Sequence, residues 1–269
     1  MTKLGAHSGP ESIRLLAADE AGPVIVLNAG APSPFLLLGD HAGAALPRIL
    51  GDLGLSATER GRHIALDIGV AGLGALLSAR LDATFIQQRY SRLVIDCNRP
   101  PADETSIPAI SDGIVIPGNA GLRADAMQAR RAEIYQPYQD EIARALDLRV
   151  GRPTVLVSLH SFTPVMQGRA RPWRLGVLHR GDSPFSSAVL RRLAAELGAA
   201  VGDNQPYRMD ETDHTVPLHA DLRRLDYLEL EVRQDLLATP RGQSDMAQWL
   251  AQQLEAALRD VSAGEGRAG

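Results

Sequence analysis

Three apolar runs in this chain end in polar side chains that a buried strand does not explain. Phe35–Gly39 leads into Asp40 and His41, Thr154–Leu159 into His160 and Ser161, and Tyr227–Val232 into Arg233. Open α/β sheets bind ligands outside the carboxyl ends of their strands, so His41 and His160 can converge on one place although they are distant in the chain. A lone histidine at a strand end usually just hydrogen-bonds; two together suggest metal binding, for which imidazole is the commonest side chain. Asp67, in His63-Ile-Ala-Leu-Asp67, is the third candidate ligand. Two histidines and one carboxylate leave an open coordination position, which a hydrolytic metal needs in order to hold and acidify water. His63 and Asp67 are four apart and would share a face if this stretch is helical. A solvent-facing pair gives the same spacing, and His63 competes with Asp67 as the third ligand.

Leu228-Glu229-Leu230-Glu231-Val232 alternates strictly, so Glu229 and Glu231 share one face of a strand and the aliphatic residues share the other. An exposed antiparallel strand would account for that. In a sheet covered on both sides, a carboxylate there needs a partner or a task. A glutamate beside activated water serves as general base and then returns the proton to the leaving amine. Glu231, nearer the strand end, is better placed than Glu229. Polar groups also cluster in Tyr90–Pro101. Arg99 has the planar fork that binds carboxylates in pairs of hydrogen bonds, and Asn98 beside it adds a donor. Arg92 can stabilise an oxyanion as it forms. The plainer alternative is a structural pair between Arg99 and Asp96.

Other signals are weak. Gly69–Gly74 is not a dinucleotide fingerprint, and neither a P-loop, nor H-E-x-x-H, nor G-x-S-x-G is present. His214 and His219 precede the glutamate strand and can line a pocket. Cys97, the single cysteine, reads as a packed thiol; alone it excludes an intrachain disulfide and any multi-cysteine zinc site.

The elements that must position these residues alternate between short apolar runs and amphipathic stretches. Strands are expected at Phe35–Gly39, Thr84–Gln87, Arg92–Asp96, Thr154–Leu159, Arg174–Leu178 and Tyr227–Val232. Helices are expected at Arg60–Leu81, Arg123–Leu148, Pro184–Leu197 and Gln243–Leu258, with Ser183 capping the third. The alternation predicts a mixed, mostly parallel α/β sheet with helices on both faces. A single catalytic domain over 13–260 is expected, with flexible ends at 1–12 and 261–269, and Arg99–Gly121 forms a long loop of the kind that often carries function. A net charge of −4 and the lack of a basic stripe argue against nucleic-acid binding. No apolar run is long enough to span a membrane, and no leader-like segment opens the chain, so cytoplasm is the expected location.

The motifs together are similar to those of the N-formylglutamate amidohydrolases. The resemblance is carried by Gly39-Asp-His41-Ala-Gly43, His63-Ile-Ala-Leu-Asp67-Ile-Gly69, Ser91-Arg-Leu-Val-Ile-Asp-Cys-Asn-Arg99-Pro100 and Ser158-Leu-His160-Ser-Phe-Thr-Pro164. Thr215-Val-Pro-Leu-His219 and Glu231-Val-Arg-Gln-Asp-Leu236 add to it, and it runs from about Phe35 to Leu250. It implies a fold like the zinc carboxypeptidases and aspartoacylase, of the phosphorylase/hydrolase-like type. It also implies Zn2+ held by His41, His160 and Asp67, with Glu231 as general base. Asn98 and Arg99 then resemble the carboxylate-binding pair of aspartoacylase, and Arg92 its carbonyl-polarising arginine. The chain departs from the carboxypeptidase H-x-x-E motif, because position 44 is Ala.

The expected reaction is zinc-dependent hydrolysis of a small acidic N-acyl amino acid, N-formyl-L-glutamate being the expected example. A related zinc deacylase or carboxypeptidase, or a non-catalytic carboxylate-binding module, are the alternatives. The ligand set also suits iron, cobalt or nickel.

Overall fold

Strand formation follows the runs of apolar residues and is decided by which faces are covered. In the computed structural model, which describes residues 14–265, the strands are β1 (Val24–Leu27), β2 (Phe35–Gly39), β3 (Thr84–Gln88), β4 (Ile110–Ser111), β5 (Ile114–Val115), β6 (Val155–Phe162), β7 (Val165–Met166), β8 (Arg169–Ala170), β9 (Leu175–Leu178), β10 (Val201–Asp203) and β11 (Asp226–Arg233). Seven of them form one sheet in the order β1-β3-β2-β6-β11-β9-β10, and β4–β5 and β7–β8 are small hairpins. β3, β2, β6 and β11 run parallel, as do β9 and β10; β1 against β3 and β9 against β11 are antiparallel. The sheet is therefore mixed and mostly parallel, as expected.

Period-two alternation sends the side chains of one strand to two cores. Phe35 and Leu37 of β2, Val155, Val157 and Leu159 of β6, and Leu228, Leu230 and Val232 of β11 enter one core. Three helices cover it: α2 (Val70–Leu81), α5 (Pro184–Leu197) and α6 (Pro240–Glu265), through residues such as Leu73, Val189 and Leu250. Leu36, Leu38 and Leu156 face the other way, onto Ile134, Tyr138 and Ile142. Those three lie in a continuous helical stretch made of α3 (Ala124–Arg130), a π-helical turn Arg131–Tyr135, and α4 (Gln136–Asp147). Ser158 and His160 of β6 and Glu229 and Glu231 of β11 share this second face, at the carboxyl end of the sheet, where Glu231 is paired in register with His160.

Two expectations are corrected. The stretch Arg60–Leu81 is not one helix: α1 (Ala57–Arg60) stops, turns intervene, and α2 begins at Val70. Gly69 caps α2 at φ 83°, a left-handed conformation unavailable to a helix interior, and a Cβ there would lie 2.4 Å from Cβ of Leu237. His63 and Asp67 therefore do not share a helical face. Arg92–Asp96 is not a strand but a run of turns, in which Ser91 Oγ accepts from Leu93 N and Ser91 O from Val94 N. Its apolar residues separate between cores, Leu93 going to a small cluster with Ile64 and Ile116, and Val94 and Ile95 to the second core. Burial alone does not require a strand.

The other expected elements form, with ends moved by up to three residues except that the last helix runs on to Glu265, and Ser183 Oγ caps α5 by accepting from Ser186 N. β1 and β10, at the two sheet edges, are additional. The N-terminal 1–12 lies outside the described residues. The expected tail 261–269 begins inside α6, whose Val261 packs against the first core, and 266–269 lies outside the description.

Candidate metal and hydrolytic site

β2 ends at Gly39, and the turn that follows carries Asp40 and His41 to the carboxyl edge of the sheet beside His160. The two imidazoles meet edge to face with ring centres 4.9 Å apart. Asp67 is tied to the same turn, its backbone N–H donating to His41 O at 2.9 Å. Its Oδ2 lies 3.0 Å from His160 Nδ1 and 3.5 Å from His41 Nδ1. One donor atom from each of His41, Asp67 and His160 lies within 4.8 Å of the others, and all three residues are buried. His63 lines the same cavity but lies outside this group: its Nε2 is 3.3 Å from Asp112, in the tip of the β4–β5 hairpin.

Each imidazole is held from behind by its other nitrogen. His41 Nε2 is 2.7 Å from Asp96 Oδ1, and His160 Nε2 is 3.1 Å from Ser158 Oγ and 3.5 Å from Asp40 Oδ2. Carboxylates in that position fix the ring and its tautomer and make the opposite nitrogen a better donor. His41 Nδ1 is buried and has no hydrogen-bond partner among the described residues. A ring nitrogen without a partner, facing a carboxylate and a second Nδ1, is the arrangement a cation would complete. His41, Asp67 and His160 thus form a buried group that fits a metal ion.

The charges point the same way. Asp40, Asp67, Asp96, Glu229 and Glu231 are all buried around this point, with Arg92 the cation among them. Burial opposes charge on both imidazoles, but carboxylates outweigh it: Asp96 and Asp67 raise the pKa of His41, also against Arg92, and Asp40 and Asp67 raise that of His160. For Asp67, burial is outweighed chiefly by His41 and His160, which hold its carboxyl below the ordinary range. Burial pushes Glu231 up to about 7 and Glu229 well above its ordinary value. One oxygen of each glutamate is buried without a hydrogen-bond partner among the described residues. So much acid in so little space needs either protons or a cation.

Arg92 bridges Asp96 (Nη2 to Oδ2, 2.6 Å) and Asp67 (Nη1 to Oδ1, 3.3 Å). Asp96 therefore pairs with Arg92 and His41, not with Arg99. Arg99 Nη1 donates to Thr212 Oγ1 at 2.8 Å and lies 3.8 Å from Asp213. Asn98 is buried; its Oδ1 accepts from the backbone N–H of His214 and Thr215 at 3.0 and 2.9 Å, and its Nδ2 donates to Asp213 at 3.3 Å. All seven predicted site residues, with His63 and Glu229, line one cavity of about 490 Å³.

The sequence left several of the cavity's residues unremarked. Tyr207, Arg208, Asp210 and Asp213 come from the segment after β10, and Thr105, Pro108 and Ile110 from the predicted 99–121 loop. At Gly176 of β9 a Cβ would lie 2.0 Å from Gln205 O and 3.3 Å from Glu231 Cβ, so only glycine lets the Tyr207 segment approach Glu231 this closely. His214 and His219 belong behind the site: His214 bonds Tyr135 Oη, and His219 Nε2 lies 2.8 Å from Gln139 Oε1. Cys97 is fully buried, and burial pushes its thiol well above its ordinary pKa, as a packed thiol requires. Among the described residues no helix is long and apolar enough to cross a membrane.

No curated protein matches the chain. A crystal structure of a gene product from Agrobacterium tumefaciens superposes with a TM-score of 0.89 at 38% identity, covering 93% of this chain and 100% of that one. The crystal structure of N-formylglutamate amidohydrolase from Ralstonia eutropha has the same fold, with a TM-score of 0.62 at 20% identity over 88% of this chain and 99% of that one. The family described as N-formylglutamate amidohydrolase matches residues 33–238, most of the sequence. By that match this chain, a hydrolase, belongs to the N-formylglutamate amidohydrolase family.

Proposed function

We propose that the protein hydrolyses N-formyl-L-glutamate, or a closely similar acidic N-acyl amino acid, to the free amino acid and a carboxylic acid. The observation that carries this is the orphaned Nδ1 of His41 facing Asp67 and His160, with the unpartnered carboxylate oxygen of Glu231 in the same cavity. In this reading His41, His160 and Asp67 hold a zinc ion, Asp67 replacing the glutamate of the carboxypeptidase H-x-x-E motif in a fold of that type. Bound there, zinc would supply Lewis acidity toward water and toward the acyl oxygen.

Glu231 takes the proton from the attacking water and delivers it to the departing nitrogen. Its burial suits both halves of that task, since a carboxyl titrating near neutrality both accepts and returns a proton. Arg92, pinned by Asp67 and Asp96, keeps further N–H groups to donate to the acyl oxygen as charge develops on it. Arg99 receives the substrate α-carboxylate with help from the remaining N–H of Asn98, which fixes the amide relative to Glu231.

Purified protein should contain about one zinc per chain, lose activity on chelation and regain it when zinc is restored. N-formyl-L-glutamate should be cleaved in preference to N-acetyl-L-glutamate and to dipeptides. A protein that binds N-formyl-L-glutamate without metal and never cleaves it would be a carboxylate-binding module, and the proposal would be wrong.

A further inference from the structure

Arg171 is a cation held by aromatic rings and hydroxyls rather than by an acid. Its guanidinium carbon lies 4.8 Å from the centre of the Tyr207 ring and 5.8 Å from that of Phe162. Nη1 donates to Tyr207 Oη at 2.9 Å and reaches Thr163 Oγ1 at 3.5 Å, and the backbone N–H donates to Pro164 O at 2.8 Å. Among the described residues no carboxylate lies within ion-pair distance of it, whereas Arg92 and Arg99 both have one. Phe162, Thr163 and Tyr207, the three side chains that hold it, all line the cavity containing His41, Glu231 and Arg99. Phe162 is the last residue of β6, the strand that carries His160.

A guanidinium held by two aromatic rings and two hydroxyls has already lost most of the freedom that binding an anion would cost it. It still has N–H groups to donate, and the Tyr207 hydroxyl, which accepts from Nη1, keeps its own proton for an anion. We propose that Arg171, with Tyr207, is the receptor for the side-chain carboxylate of the substrate and selects dicarboxylic N-acyl amino acids over neutral ones. This rests on the hydrolase reading above, in which Arg99 and Asn98 take the α-carboxylate. Two carboxylates of one substrate then meet two separate cations, Arg99 in the cavity lining and Arg171 held by three side chains of that lining.

The test is the ratio of kcat/KM for N-formyl-L-glutamate to that for N-formyl-L-glutamine, which has the same shape without the charge. Wild type should favour the glutamate substrate by about 10- to 100-fold, the worth of one charge-assisted pair. Arg171→Met, which keeps the apolar stem between the rings, should bring the ratio close to one, and Tyr207→Phe should lower it by less. Arg174→Met, an exposed neighbour outside the cavity, is the control and should keep the wild-type ratio. A wild-type ratio near one with both substrates cleaved, or an unchanged ratio in Arg171→Met, overturns the assignment while leaving the hydrolase reading intact. Should wild type cleave neither substrate, the hydrolase reading fails. Calorimetric binding of L-glutamate and L-glutamine to the zinc-loaded protein then decides the receptor: weaker glutamate binding in Arg171→Met supports it, and equal binding refutes it.

Discussion

The buried pair His41 and His160 and the buried His219 are linked through Asp40 and differ in what surrounds them. Through Oδ2, Asp40 reaches His160, and beyond it lie His41 and Asp67. Through Oδ1 it accepts from Thr215, which contacts Gln139, and Gln139 Oε1 is bonded by His219. His160 and His41 have carboxylates on both sides, which outweigh burial and raise their pKa values. His219 has only a neutral amide as its direct partner, and burial, reinforced by Arg223, lowers it to about 4. Degree of burial does not separate the two groups, since His41, His160 and His219 are each 3% exposed. What separates them is whether the partners are ionised, and His41 in addition leaves Nδ1 without a hydrogen-bond partner among the described residues.

The contrast is best broken from the site side. His160→Ala should abolish stoichiometric metal and lower kcat/KM by ~10³-fold or more, several kcal/mol of transition-state stabilisation, whereas His219→Gln should retain metal and turnover. Equal losses in both would mean that neither group is a ligand set. Glu231→Gln should keep zinc and lose ~10²-fold or more in kcat, the ordinary contribution of a general base, with Glu229→Gln costing less. If the two glutamine variants rank the other way, the proton carrier is Glu229. Asp96→Asn removes a carboxylate from behind His41 and from Arg92. Zinc affinity, measured by competition with a chelator, should fall ~10- to 100-fold, and an unchanged affinity would mean that Asp96 serves Arg92 alone.

Much of this was legible in the sequence, for reasons specific to each residue. β2 and β11 could be read because continuous burial and strict alternation leave a pattern along one strand, and the same alternation put Glu229 and Glu231 on the face opposite their aliphatic neighbours. The 63–67 spacing misled because helix periodicity was assumed across Gly69, whose left-handed conformation starts a new element instead. Asp40 adjoins His41 in sequence yet supports His160, a pairing set by the parallel contact between β2 and β6. Arg171 and Tyr207 meet between two loops, where no periodicity exists to reveal a partner.

The mildest prediction tests the rear histidine by pH. Free in the unfolded chain, an imidazole titrates near 6.5; folded, His219 titrates at about 4. Between those values the unfolded state binds more protons, so stability falls as pH drops from about 6.5 toward 4 and levels off below that. Moving from pH 7 to pH 5 should therefore cost wild type on the order of 1–2 kcal/mol more than it costs His219→Gln, read by urea unfolding of both. Taking the difference between the two proteins removes the opposing contributions of His41 and His160, whose raised pKa values favour the folded state as pH falls. Parallel pH profiles would mean that His219 is protonated in the fold at pH 5, and the contrast between a neutral buried histidine and a carboxylate-surrounded one would not hold.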